Sequence, residues 1–279
     1  MKKIWHKTIT IPDEVNVFFV GDIHGCNTML TQALELAGYD KDKDHVVCVG
    51  DLIDRGKENL QVLSRFLYNP RFHSVMGNHD WFMADKDVGN WMYNGGEWAF
   101  DQLDTDTIEV LGSEMEERFP VFLTVLHRGN KYGVVHGGIP LKYPESGITP
   151  VVPIWDEVAN KGYSRRDIEL FMWDRNVITE VSYYMEAKVS TEKPSNAMDE
   201  IISRLSDYSV VDVPAVQGVD YVFHGHTGVK NPLRWHNRVW LDTGGVFNGR
   251  LSVAVVNKDN SLTTFTTEQF DSCGTVEDL

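Results

Sequence analysis

The stretch FFVGDIHGCN, Phe18–Asn27, decides how the rest of the chain is read. Its head belongs to the apolar run Val15–Val20, which is strand-forming and suited to burial. The run stops at Gly21-Asp22-Ile23-His24-Gly25, with an acid and an imidazole two residues apart between glycines. A buried strand that ends this way presents ionisable side chains at the edge of its sheet. The glycines let the backbone turn sharply and approach a ligand closely. Taken alone, Asp-x-His at a strand end is a weak signal, more often a turn with a solvated acid.

The same ending recurs along the chain. The run His45–Val49 leads into VGDLIDRG with Asp51, Asp54 and Arg55, and Phe72–Met76 leads into MGNHD with Asn78, His79 and Asp80. Between these runs, NTMLTQALELAGY and ENLQVLSRFLY carry apolar residues at helical spacing. Strands separated by helices in this rhythm predict βαβ units and a parallel sheet. In such a sheet the carboxyl ends of neighbouring strands share one rim, where ligands bind. Further strand runs are predicted at Val121–His127, Tyr132–His136, Tyr221–His224, Arg238–Asp242 and Leu251–Val256, adding His136 and His226 beside glycines. Helices are predicted near 164–173 and 197–205, and NWMYNGGEWAFDQL reads as helical and aromatic. Carboxylates and an amide mixed with imidazoles suit a borderline-hard divalent metal such as Mn²⁺, Fe²⁺ or Zn²⁺. Two such ions sharing a carboxylate, about 3.5–4 Å apart, activate a water for in-line attack on phosphorus.

The totals bound the alternatives. At 279 residues, 42% hydrophobic and 24% charged, the chain is long enough for one large domain over 1–279. No stretch approaches the roughly 20 apolar residues of a membrane span, and MKKIWHKTITIPDEV does not read as a signal peptide. Three distant cysteines, Cys26, Cys48 and Cys273, argue against a disulfide framework and for a reducing cytoplasm. A formal net charge of −15 disfavours nucleic acid and anionic membranes as partners. Any phosphate chemistry then depends on local cations, from bound metal or placed arginines.

GDIHG (21–25), GDLIDRG (50–56), GNHD (77–80), the distant His136-Gly137 pair and GHT (225–227) together resemble the calcineurin-like metallophosphoesterases. The likeness is greatest to their phosphoprotein-phosphatase branch, and within it to bacteriophage members, through DIHGCNTML, WMYNGGEWAF, FMWDR and LDTGGVFNGRL. It covers 17–136 and 218–256 and thins over 141–215, which reads as a variable insertion. The resemblance implies a four-layer α/β/β/α sandwich of two mixed sheets with helices outside. It also implies two divalent ions, Mn²⁺ first, with Fe²⁺, Zn²⁺, Ni²⁺ or Co²⁺ as alternatives. Asp22 and His24 would bind one ion, Asp51 would bridge, and Asn78, His136 and His226 would complete the other. His79 would be the general acid, oriented by Asp54 and held protonated by it. Arg55 and Arg175 would fork onto phosphate oxygens, with Asn78 also touching substrate.

The activity implied is hydrolysis of phosphoserine and phosphothreonine in proteins by metal-activated hydroxide, without a phosphoenzyme, in a host cytoplasm if the chain is phage-encoded. A second enzyme reading keeps the same metals but splits diadenosine tetraphosphate or 2′,3′-cyclic phosphodiesters. A third, a binding protein that has lost catalysis, is disfavoured because every expected ligand and His79 are present. His224 and Cys26 read as packing beneath the motifs, and Trp91, Tyr93, Trp98 and Phe100 as core. Within 141–215, Trp155, Tyr163, Tyr183, Tyr184 and the pair Arg165–Arg166 are expected to wall the cleft and contact residues flanking a phosphoserine.

Overall fold

Alternation along each apolar run determines the layers. In β2 (Val17–Val20), Val17 and Phe19 point one way and Phe18 and Val20 the other, as the two-residue period of a strand requires. Both faces are buried, so the strand needs cover on both sides. The computed structural model describes residues 5–145, 149–192 and 212–268. The predicted helix at 197–205 and Cys273 lie outside the described residues.

The elements run β1 (His6–Thr10), β2, α1 (Asn27–Leu36), β3 (His45–Cys48), α2 (Asn59–Tyr68), β4 (Phe72–Ser74) and α3 (Asn78–Asp85). There follow α4 (Val88–Tyr93), α5 (Glu97–Gln102), α6 (Thr105–Arg118), β5 (Phe122–His127), β6 (Asn130–Val134), α7 (Trp155–Ala159), α8 (Arg165–Trp173) and α9 (Asn176–Glu192). The last are β7 (Tyr221–His224), β8 (Leu233–Trp235), β9 (Arg238–Trp240), a short α10 (Gly245–Asn248), β10 (Ser252–Val256) and β11 (Leu262–Thr266).

One sheet has the order β11-β10-β2-β3-β4 and the other β1-β5-β6-β7-β9-β8. Both are mixed: β2, β3 and β4 run parallel, as do β6, β7 and β9, while β10, β11, β5 and β8 make antiparallel pairs. The sheets face each other across a core of Val17, Phe19, Val47, Leu123, Val134 and Phe223. Phe19 and Phe223 stack there with ring centroids 3.9 Å apart. The opposite face of β2 and β3 packs Phe18, Val20, Val46 and Cys48 against Leu30 and Leu34 of α1 and Val62 and Phe66 of α2. On the outer face of the second sheet, Phe122 and Val222 pack with Trp155, Ile168 and Phe171 of α7 and α8. The order is therefore helix, sheet, sheet, helix, the four-layer sandwich that the resemblance implies.

The predicted strands form, some shortened because the terminal residues leave the ladder to turn at the rim. Val49, Val75, Met76 and Leu241 are buried yet lie beyond their strands. NWMYNGGEWAFDQL breaks into α4 and α5 at Gly95-Gly96, where Gly95 has φ +95°. β1, β8 and β11 have no long apolar run, since each lies at the edge of a sheet and is only partly covered.

Candidate active site

The carboxyl ends of β2, β3, β4, β6, β7 and β9 meet at one edge of the sandwich. They deliver Asp22 and His24, Asp51 and Asp54, Asn78 and His79, His136, His226 and Asp242 to it, all buried. Asp22, His24, Asp51, Asn78, His79 and His226 line a cleft of about 340 Å³, with Arg55 and Arg175 at its wall. Among the described residues, His24, Asp51, Asp54, Arg55 and His226 adopt positive φ of 45° to 76°. Side chains disfavour that region by about 1–3 kcal/mol per residue, so the surrounding packing must hold five strained residues in place. Strain of this kind clusters where function sets the geometry.

Hydrogen bonds to the backbone fix how the imidazoles present themselves. The Nδ1 atoms of His24 and His136 donate to the carbonyls of Ile53 (2.9 Å) and Val49 (2.8 Å). A carbonyl only accepts, so both Nδ1 atoms carry the proton and both Nε2 atoms turn a lone pair inward. Those Nε2 atoms lie 3.6 and 3.3 Å from the same Asp51 Oδ2. Asp51 Oδ1 accepts from the His79 backbone N–H at 3.0 Å, which fixes the rotation of the carboxylate. Asn78 Oδ1 lies 3.0 Å from His136 Nε2 and 2.8 Å from His226 Nδ1. Asp22 Oδ2 accepts from the His226 backbone N–H at 2.9 Å, and Asp22 Oδ1 and His226 Nε2 are buried without a hydrogen-bond partner among the described residues. Gly225 permits this approach, because a Cβ there would overlap Asp22 Oδ1.

Acceptors thus converge on acceptors, an arrangement that calls for a cation. Without metal, protons take part of that role. Burial opposes charge on His136, yet Asp51 and Asp22 raise its pKa to about 10. Burial likewise opposes charge on Asp51, but His136 and His79 hold it well below the usual carboxylate range. Asp22, buried beside Asp242, is pushed well above it. Arg55 Nη1 donates to His24 Nε2 at 2.9 Å and occupies the lone pair a metal would take. Among the described residues, two buried groups have ligand atoms close enough to share an ion: His24 with Asp51 and His79, and Asp51 with His136 and His226. Asp51 is common to both, and the oxygen and imidazole donors fit divalent ions of the borderline-hard kind.

His79 Nδ1 meets Asp54 Oδ2 at 2.7 Å. Burial pushes Asp54 up to about 7 and His79 down to about 4, so in the metal-free, substrate-free protein the pair is not an ion pair. The expectation that Asp54 alone keeps His79 protonated therefore meets an opposing force. Arg175 Nη1 donates to the His226 carbonyl at 3.1 Å and to Thr227 Oγ1 at 3.2 Å, which brings this residue to the cleft. Trp173 stands against His226 with ring centroids 5.5 Å apart, and Phe247 lies under the Arg55 guanidinium at 4.9 Å. Asp242, Trp173 and Phe247 were not among the expected site residues. Asp242 ends β9 just as Asp22 ends β2, so the strand-end rule applied to every strand finds it. Asp80 has a scaffold role, accepting from the backbone N–H groups of Leu52 (2.9 Å) and Gly77 (3.0 Å) and tying two motif loops together.

A family model of calcineurin-like phosphoesterases matches residues 15–230. The chain belongs to that family. It is a phosphoesterase of the hydrolase class, and its family implies divalent metal ions. Serine/threonine-protein phosphatase 2 of Salmonella typhimurium is 28% identical over 243 residues, covering 85% of this chain and 91% of that protein. A symmetrical bis(5′-nucleosyl)-tetraphosphatase of Methylococcus capsulatus is 31% identical over 126 residues, 44% of this chain and 43% of that protein. The solved structure of a protein serine/threonine phosphatase from Saccharomyces cerevisiae shares the fold with a TM-score of 0.60 at 16% identity, covering 94% of this chain and 84% of that one.

Several expectations for the surroundings need correction. Tyr93 is 91% exposed and Phe100 41%, so only Trp91 and Trp98 of that aromatic group are core. Trp155 is fully buried, and Tyr163 packs on Phe122 and Phe171. Tyr183 is exposed, and the Tyr184 side chain lies outside the described residues. His224 is packing, as expected: it is buried, donates to the Val135 carbonyl at 3.1 Å and stacks on Trp240. Cys26 is buried in the core with its Sγ 3.4 Å from the His24 carbonyl. Arg165 does not reach the cleft. Its guanidinium lies 4.5 Å from the Trp81 ring centroid and pairs with Asp85 and, at 3.7 Å, with Glu116. Arg165→Ala is expected to lower stability by about 1 kcal/mol, read by thermal unfolding, while KM stays unchanged. A rise in KM for a phosphoprotein at unchanged stability would restore the substrate-contact reading.

Proposed function

We propose that this chain is a metal-dependent phosphomonoesterase acting on phosphoserine and phosphothreonine in proteins. The observation carrying that reading is the convergence, around Asp51 Oδ2, of inward imidazole lone pairs from two sheets beside the His79–Asp54 pair. Asp22, His24 and Asp51 would hold one ion, and Asp51, Asn78, His136 and His226 the other, with Mn²⁺ the preferred metal. When bound, the ions supply positive charge that polarises the phosphoryl group and lowers the pKa of a water.

The remaining work falls to the chain's own side chains. If His24 held an ion through Nε2, that atom would no longer accept from Arg55, and the guanidinium would be available to phosphate oxygens. Arg175 lines the same cleft, and two planar forks would hold the phosphoryl group in one orientation. His79 stands where a leaving oxygen needs a proton. A phosphate dianion beside the imidazole raises its pKa, so the protonated form belongs to the substrate complex rather than the free protein. Asp54 on Nδ1 then leaves Nε2 to give up the proton.

The extent of similarity supports phosphoproteins over dinucleotides. The likeness to the Salmonella phosphatase runs through most of both chains, whereas that to the Methylococcus tetraphosphatase covers less than half of either. The test is a panel with Mn²⁺: a phosphoserine peptide, p-nitrophenyl phosphate, diadenosine tetraphosphate and 2′,3′-cyclic AMP. The expected result is the highest kcat/KM on the phosphopeptide among the biological substrates. A preference of tenfold or more for diadenosine tetraphosphate would replace this reading with the dinucleotide one.

A further inference from the structure

Trp91 and Trp98 would pass for core. Trp91 is 1% and Trp98 9% exposed, and their rings meet edge to face at 6.5 Å. A buried indole N–H needs an acceptor, and a nearby backbone carbonyl usually serves. Here both choose one atom. Trp91 Nε1 donates to Asp54 Oδ1 at 2.8 Å and Trp98 Nε1 to the same oxygen at 2.9 Å. The other oxygen of that carboxylate, Oδ2, is the one that meets His79 Nδ1 at 2.7 Å.

We propose that Trp91 and Trp98 are positioning residues for the His79–Asp54 pair, acting through Asp54 and not on substrate. This rests on the reading of His79 as the acid. An indole only donates, so two indoles on Oδ1 fill both of its lone pairs and leave it no proton to carry. Any proton the pair shares is thereby confined between Oδ2 and Nδ1. That confinement selects the Nδ1–H tautomer of His79 and keeps Nε2 free for the leaving oxygen. The two N–H groups also stop the carboxylate from rotating. They replace the water that a fully buried Asp54 has lost, since charge-assisted hydrogen bonds are about twice as strong as neutral ones.

The local sequence is built around this arrangement. Trp91 lies on α4 and Trp98 on α5, and the two short helices are separated by Gly95-Gly96. A Cβ on Gly96 would overlap the Trp91 indole, so only glycine lets that N–H edge come so close to the turn. The Gly95 carbonyl accepts from the Arg55 backbone N–H at 3.2 Å, and a Cβ on Gly95 would lie 2.9 Å from Arg55 Cγ. One turn therefore supports Asp54 from its two flanking indoles and Arg55 from its backbone. The Asp54 backbone N–H is held in turn by Asn59 Oδ1 at 2.9 Å, which anchors a residue at φ +76°.

The test is Trp98→Phe, and separately Trp91→Phe, each made alone and in a His79→Asn background. With wild-type His79, each is expected to lower kcat about tenfold on a phosphoserine peptide, the scale of one hydrogen bond to a buried charge. On p-nitrophenyl phosphate, whose leaving group scarcely needs a proton, the loss should be under about threefold. In the His79→Asn background neither change should cost further activity, because there is no acid left to position. Equal losses on both substrates and in both backgrounds would overturn the proposal and return the indoles to packing. A second measurement does not depend on activity. In the metal-free protein, the most downfield imidazole N–H resonance should vanish in His79→Asn and shift or exchange-broaden in Trp98→Phe. An unmoved resonance overturns the positioning role even if the protein proves to act on another phosphoester. Absence of phosphatase activity with an altered resonance defeats the proposed function instead.

Discussion

Asp51→Asn is expected to lower kcat/KM by about 10³-fold or more and to reduce bound metal from two ions per chain to fewer than one. The scale follows from metal polarisation, which is worth several kcal/mol of transition-state stabilisation, with each 1.36 kcal/mol a factor of ten. The argument is local. Asp51 Oδ1 is oriented by the His79 backbone N–H, so an asparagine placed there keeps its carbonyl oxygen on that donor. Its NH₂ must then point where Oδ2 was, towards the Nε2 atoms of His24 and His136, 3.6 and 3.3 Å away. An amide nitrogen donates and offers a cation no lone pair, so the one oxygen that both imidazoles face is lost as a shared ligand. The substitution conserves shape, so folding should survive, and thermal unfolding checks that. Elemental analysis after gel filtration, with kinetics on the same sample, measures the outcome. Two ions retained at undiminished activity would defeat the shared-carboxylate model.

The rim was legible because its signals are local and repeated. Each motif follows an apolar run, and in a sheet with parallel strands chain direction alone sends the ends of such runs to one edge. What Asp22 and Asp51 display, Asp242 displays more faintly, since its strand is only Arg238–Trp240. The indoles on Asp54 were illegible for a different reason. A tryptophan in a helical aromatic stretch gives no sign of where its N–H points, and Trp91 and Trp98 are 37 and 44 residues from the carboxylate they share. Arg165 misled for the opposite reason. A basic pair looks available to an anion, but helix α8 packs beside α3 and puts its guanidinium on Trp81 and Asp85. Nor does sequence reveal positive φ at His24, Asp51, Asp54, Arg55 and His226, because Asp and His adopt it more often than most residues but still in a small minority of cases. The chain accepts that strain where lone pairs must converge, and burial of the apolar strands behind the rim offsets it.

The second large effect concerns His79, whose role has two readings. Its ring lies close enough to His24 and Asp51 to share an ion with them, and a carboxylate on Nδ1 is also the usual support of a metal-bound imidazole. An acid on the leaving group predicts something else. His79→Asn should then lower kcat on a phosphoserine peptide by about 10²–10⁴-fold, the usual worth of general acid catalysis. The same variant should lose far less on p-nitrophenyl phosphate, whose phenolate departs without help. Bound metal should stay at two ions, because the His79 backbone N–H that orients Asp51 is unchanged by the substitution. Metal count and leaving-group dependence therefore separate the readings. Fewer ions, with equal losses on both substrates, would make His79 a ligand. Full metal with a loss confined to the poor leaving group would make it the proton donor, and Asp54 and the two indoles behind it would then be the structure that holds it there.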